Sequence, residues 1–224
     1  AYSALGESAS PEAINAYRQQ HGLDQPWIVQ FGQFLLGLLQ GDLGTYGPAQ
    51  NPVMDRVAAA LPITLQLTFI GLIIAVVIAV ILGIISAVYR DKWPDQVIRV
   101  FSILCIATPS FWLAVLLILL FTSTLHMFPA SGDLPNFFAN PGGYMARIIM
   151  PAFALGVPVA GSLTRVIRTA MVEELDKDYV RTAIGAGIPY HTVVARNVLR
   201  NALITPVTVL GLRIGYLIGG AVVI

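Results

Sequence analysis

Few side chains in this sequence are placed to do chemistry. The two lysines, Lys92 and Lys177, precede Trp93 and Asp178, so neither closes a GxxxxGK[ST] phosphate loop. His21, His126 and His191 are far apart; none sits in HExxH or within ligand spacing of another, which leaves no histidine metal site. The single cysteine, Cys105, excludes an internal disulfide and a cysteine-based metal centre. No GxSxG elbow presents a serine nucleophile. The reading is therefore no catalytic residue, no metal ligand and no enzyme, with any driving energy supplied from elsewhere.

Three features remain to be placed. Arg213 is the one charge between Arg200 and Ile224. A guanidinium at hydrocarbon depth is costly, so it faces a bundle interior or a wet cavity. It either lines a pathway and attracts a carboxylate, or pairs internally with a carbonyl or polar side chain. Gly211, Gly215 and Gly219 recur every fourth residue, a spacing that suits close helix approach, within the bundle or against a partner chain, and not a ligand site. Pro109, Ser110 and Trp112 either shape a translocation path or mark a kink that only packs.

The elements that must position these residues are membrane spans. Composition is 56% hydrophobic and 11% charged, against about 25% charged in an ordinary globular domain. No lysine, arginine, histidine or acid occurs between Arg56 and Arg90, nor between Arg99 and His126. A helix needs about 20 apolar residues to cross the hydrocarbon core. The fold class is thus an all-α polytopic membrane protein. Four spans are expected, at about 59–89, 97–125, 147–171 and 201–224, with Pro62 in the first turn of the first and Pro109 interrupting the second. Together they form a transmembrane domain, 57–224.

Residues 1–56 form a separate, mixed-polarity segment. Ser10-Pro11-Glu12 predicts a capped helix start, and Gly22 its end. Trp27, Ile28, Phe31, Phe34, Leu35, Leu38 and Leu39 predict an amphipathic helix too polar to span, suited to a membrane interface. The loop Gly41 to Pro52 is turn-rich. Nine of the thirteen basic residues fall in the loop after the first span, just beyond it at Arg99, or between Arg165 and Arg200. By the positive-inside rule the 173–200 loop is cytoplasmic and 1–56 lies outside.

The most informative stretch is Glu173 to Pro206. Asp178 predicts the cap of a short helix, Tyr179 to about Gly185, which Gly185-Ala186-Gly187 ends. Pro189 then starts a second helix whose Val193, Val194, Val198 and Leu199 face the bundle. The short helix is either a rigid lever for a soluble partner or an ordinary basic loop.

This segment resembles the coupling loop of permease subunits in ATP-binding-cassette importers, in the dipeptide/oligopeptide and nickel branch. The family pattern is EAA, three residues, Gly, nine residues and IxLP. Arg181-Thr182-Ala183 stands at the EAA positions, Gly187 at the glycine and Leu199 at the leucine, while Asn197 and Arg200 replace the isoleucine and proline. The departures resemble the peptide-importer form DYVRTA…LRNAL, found here at Asp178 to Ala183 and Leu199 to Leu203. Similarity continues in Pro109-Ser110-Phe111-Trp112-Leu113, Phe128-Pro129-Ala130-Ser131-Gly132, Gly41-Asp42-Leu43-Gly44 and Gly219-Gly220-Ala221-Val222-Val223, in family order over most of the chain.

The resemblance implies a helical importer-permease bundle of six spans, of which about four are present, in a bacterial plasma (inner) membrane. It implies import of peptides, with ATPase coupling through Asp178, Tyr179, Arg181, Thr182, Ala183, Gly185 and Gly187. The implied partners are a second homologous permease, two cytoplasmic ATPase subunits or domains that bind ATP and Mg, and an extracytoplasmic substrate-binding protein. This chain itself would hold no cofactor and no nucleic acid. The competing expectation is an ion-coupled secondary transporter or channel, which needs midspan ionisable groups; only Arg213 qualifies.

Overall fold

The computed structural model describes residues 10–47, 51–129, 132 and 134–221. They are mostly helical; one antiparallel pair, Thr45–Tyr46 (β1) with Asn51–Pro52 (β2), lies in the turn-rich loop. The chain divides into two compact units, Ala1–Ile63 and Thr64–Ile224. The quoted motifs around Ala130-Ser131 and Val222-Val223 fall partly outside the described residues.

In the first unit, the Ser10 hydroxyl accepts the Ala13 amide at 3.2 Å and caps α1, Pro11–Gln20. The chain leaves α1 through Gly22 at φ +62. Helix α2, Trp27–Leu39, follows Pro26 and has no buried residue; Trp27 is 75% exposed and Leu39 84%.

Helix α3 is Val53–Val88. It starts earlier than the apolar run suggests because Asp55 supports the first turn. Pro62 accordingly lies inside the helix and not in its first turn. One missing N–H leaves a single carbonyl unbonded, and α3 runs on without a break. Its Thr64–Val88 portion belongs to the second unit and has two faces. Gly71, Ala75, Ala79, Gly83 and Ala87 are buried at four-residue spacing. Phe69, Ile73, Val77, Ile81 and Ile85 repeat at the same spacing and are exposed, as a lipid-facing stripe must be.

The other elements are α4 Trp93–Ala107, α5 Ser110–Leu117 with a π-helical continuation Ile118–Thr124, and α6 Pro141–Leu175. Then come α7 Asp178–Gly185, α8 Tyr190–Thr192 with a π-helical run Val193–Val198, α9 Leu199–Ala202 and α10 Ile204–Gly220. Helices α3 and α6 are each long and apolar enough to cross a membrane. Two bent pairs bring the number of crossings to four if each pair counts as one.

Helix α6 is the centre of the second unit: 15 of its 35 residues are buried, Pro151 and Pro158 do not break it, and α4, α5 and α10 pack on it. The small-residue face of α3 also meets it closely. A Cβ on Gly156 would lie 2.6 Å from the Gly71 carbonyl oxygen, and one on Gly83 would lie 2.6 Å from Ile167 Cγ2. This seam does what the Gly211, Gly215 and Gly219 spacing suggests for α10. Those three glycines face open space instead, with nothing within 4 Å of an added Cβ.

Two breaks define the remaining shape. Thr108 and Pro109 separate α4 from the helix that follows, which bends by 99°. The Thr108 hydroxyl donates to the Leu104 carbonyl at 2.8 Å, the same oxygen that accepts the Thr108 amide at 3.0 Å, and so doubles the last bond of α4. At Leu203 the chain bends by 49°, so the last apolar helix begins at Ile204 and not at Asn201.

Candidate functional site

The segment between α6 and α10 is built as a short helix held by one face. Lys177 is extended (φ −74, ψ 150) and occupies the cap position of α7; Asp178 is the first helical residue and its side chain is 97% exposed. The expectation that Asp178 caps the helix is thus corrected by one residue. The acid still favours the positive end of the helix dipole from the first turn.

The far end of α7 closes by a paired backbone motif. The Gly187 amide donates to the Ile184 carbonyl at 2.9 Å, and the Ile188 amide to the Ala183 carbonyl at 3.2 Å. Gly187 sits at φ +84, the left-handed conformation this closure requires and a side chain disfavours. An added Cβ there would meet nothing within 4 Å, so the demand on this glycine is conformational.

Val180 is 3% exposed and joins the core of Ala79, Leu163, Ile167, Met171, Val193 and Val198; Tyr179 and Ala183 pack against the same core. The opposite face presents Asp178, Arg181, Thr182 and Gly185. Of the seven predicted coupling residues, Tyr179 and Ala183 therefore anchor the helix, and the other five are exposed. The Arg181–Asp178 pair at 3.7 Å is itself exposed and contributes little to stability.

The Tyr179 hydroxyl donates to Glu174 at 2.8 Å, and burial pushes the phenol up, so it remains a protonated donor at neutral pH. Glu174 also pairs with Lys177, whose ammonium it holds above its ordinary range. Beyond the turn, the π-helical run brings Val193 and Val198, five residues apart, to one fully buried face. Tyr179, Arg196, Asn197, Arg200 and Asn201 line a polar cleft of about 390 Å³ beside α7.

The four residues singled out for a path are not gathered at one place. Pro109 and Trp112 line a cleft of about 320 Å³ at the α4–α5 break. Ser110, partly exposed, is the first residue of α5. Arg213 stands on α10 and donates from Nη2 to Ser162 Oγ of α6 at 2.8 Å. Among the described residues no group of His, Cys, Asp or Glu is placed to hold a metal.

A second constellation escapes a reading of the sequence. Asp95, fully buried, accepts from Arg168 Nε and Nη2 at 2.7 and 2.6 Å, from Ser86 Oγ at 2.5 Å and from the Asp91 amide at 2.9 Å. One carboxylate thereby joins the end of α3, the α3–α4 loop, the start of α4 and the last part of α6. Close by, Arg90 Nη1 donates to Asp176 at 2.8 Å, a bond that raises the Arg90 guanidinium further above its ordinary range. The signal available in the sequence is two opposite charges, Asp95 and Arg168, near the same ends of two predicted spans.

Comparison with known proteins follows the same outline. The family described as "Binding-protein-dependent transport system inner membrane component" matches residues 79–224. A putative peptide transport system permease protein of Brucella suis is 39% identical over 98% of this chain and 69% of its own length. A probable D,D-dipeptide transport system permease protein of Escherichia coli is 39% identical over 97% of this chain and 70% of its own. A glutathione transport system permease protein of Salmonella choleraesuis is 37% identical over 98% and 69%. An ion-coupled carrier or channel is not favoured by any of these likenesses. The chain belongs to the family of inner membrane components of binding-protein-dependent transport systems.

Proposed function

We propose that this chain is the transmembrane permease subunit of an ATP-driven importer that carries peptides into the cell. The observation that carries the reading is α7: a short helix anchored by Tyr179, Val180 and Ala183 to the bundle core, with Asp178, Arg181, Thr182 and Gly185 turned outward. Such a helix moves with the bundle to which it is fastened. A soluble motor gripping its outer face shifts the packed helices as rigid bodies between discrete arrangements. Relatives named for peptide, D,D-dipeptide and glutathione transport support the substrate class.

In this reading the 173–200 loop is cytoplasmic and residues 1–56 are outside, as the basic residues suggest. The complex contains a second homologous permease, two ATPase subunits or domains, and an extracytoplasmic binding protein. ATP and Mg belong to the ATPases, and this chain is non-catalytic. Pro109, Ser110, Trp112 and Arg213 belong to the translocation path.

The experiment is crosslinking from Thr182→Cys and Gly185→Cys in the assembled complex, paired with transport by Gly187→Asp. Expected are crosslinks to a nucleotide-hydrolysing subunit, and loss of transport and ATPase coupling with normal membrane insertion. Normal peptide uptake by Gly187→Asp, or crosslinks that never reach the ATPase, refutes the assignment.

A further inference from the structure

A ladder of polar side chains runs along one side of α6. Glu173, Thr169, Arg165 and Ser162 are separated by four, four and three residues, so they stack on one helix face. At 1.5 Å per residue the ladder extends about 16 Å. With Thr205 of α10 these residues line a cleft of about 370 Å³. At its Ser162 end stands Arg213, hydrogen-bonded to the serine hydroxyl at 2.8 Å.

Arg165, Thr169 and Glu173 are exposed, and among the described residues no ion pair includes Arg165, Glu173 or Arg213. Ionised groups on a membrane-spanning helix face a wet cavity or a polar neighbour in preference to lipid. The spacing of charge along the ladder then selects the solute. Arg165 and Arg213 flank Ser162, which makes the deep part cationic; Glu173 lies about two turns away toward the end of the helix.

We propose that this face of α6, with Arg213 of α10, is a stretch of the solute path that receives a carboxylate, passed from Arg213 to Arg165. Guanidinium–carboxylate bonds are charge-assisted and match in planar geometry, and Arg165 stands three residues along α6 from the serine that Arg213 bonds, so the group can be handed on. Glu173 at the cytoplasmic end of the ladder repels the carboxylate and so favours its release. The proposal rests on the importer reading and adds to it the chemical group recognised and the residues that recognise it.

The test is charge-selective thiol labelling of Thr169→Cys in the full-length permease assembled with its partner subunits in lipid nanodiscs. Cys105 is buried, so the unsubstituted chain is the blank. The probes are an anionic and a cationic methanethiosulfonate, with rates normalised to a free thiol in solution. Expected is labelling in at least one nucleotide state, with the anion favoured in a Glu173→Gln background, where the acid one turn beyond Thr169 no longer offsets Arg165. Arg165→Gln lowers that preference about tenfold or more, since a unit charge one turn away is removed, and Arg165→Lys keeps it.

A Thr169→Cys thiol unreactive in every nucleotide state means that this face is sealed against the second permease, and overturns the proposal. Equal rates for both probes in that background, or a preference that Arg165→Gln leaves unchanged, overturns the carboxylate assignment. Uptake of a radiolabelled dipeptide by the unsubstituted complex is measured alongside. Failure there sinks the importer reading, whatever the labelling shows.

Discussion

Exchanging Asp95 for asparagine removes a charge from the most heavily bonded side chain of the second unit. Asp95 is fully buried, and its main partner, the Arg168 side chain, is only 18% exposed. The amide would keep the shape but turn one acceptor into a donor facing Arg168, leaving a largely buried guanidinium with only the exposed Asp91, 4.0 Å away, as countercharge. Breaking such a pair from one side costs about 3–5 kcal/mol. For a chain of this size that corresponds to a fall in Tm of roughly 6–20 °C. The check is thermal unfolding of the detergent-purified protein, for Asp95→Asn, Arg168→Gln and the two combined. Each single change is expected to be strongly destabilising, and the double change to recover roughly 2 kcal/mol or more of the sum, because neither residue then strands a charge. The reasoning fails if Asp95→Asn unfolds within about 1 kcal/mol of wild type, or if the two losses simply add.

Other expectations test separate parts of the fold. Gly156→Ala drives a methyl group against the Gly71 carbonyl oxygen, 2.6 Å away, and lowers thermal stability by about 1–3 kcal/mol. Gly187→Ala forces a side chain to φ +84 and costs about 1–2 kcal/mol in the same assay. By contrast Gly185→Ala, at the last helical residue of α7 with nothing near its added Cβ, stabilises by up to about 1 kcal/mol. Tyr179→Phe removes the donor to Glu174 and lowers stability by about 1 kcal/mol, again read as a shift in thermal unfolding.

The parts of the architecture that are legible in sequence are those written in local signals. Uncharged runs announce α3 and the α4–α5 pair, Ser10-Pro11 starts α1, and Gly187 ends the α7 turn, because each depends on residues within a few positions of one another. Val193, Val194 and Val198 are legible as bundle-facing, but their π-helical winding is not, since a wide turn is imposed by what the segment packs on. The same limit explains the glycines. Spacing suits Gly211, Gly215 and Gly219 to close approach against a partner permease, while within this chain Gly71, Ala75, Ala79 and Gly83 form the seam, because only the tertiary fold decides which face finds a neighbour. The Asp95–Arg168 pair is separated by 73 residues, and no local rule joins them.

The seam between α3 and α6 has a mechanical corollary. Large interdigitated side chains resist displacement like gear teeth, whereas a track of glycine and alanine offers little relief to climb over. Asp95, with ligands from three elements, fastens that track firmly at one end, while the far end is held by one neutral hydrogen bond, from the Tyr144 hydroxyl to Gln66 at 2.9 Å. A strip that is smooth along its length, riveted at one end and lightly tied at the other swings about the riveted end more easily than it slides. The rivet is then the natural fulcrum for any tilting of α3 across α6.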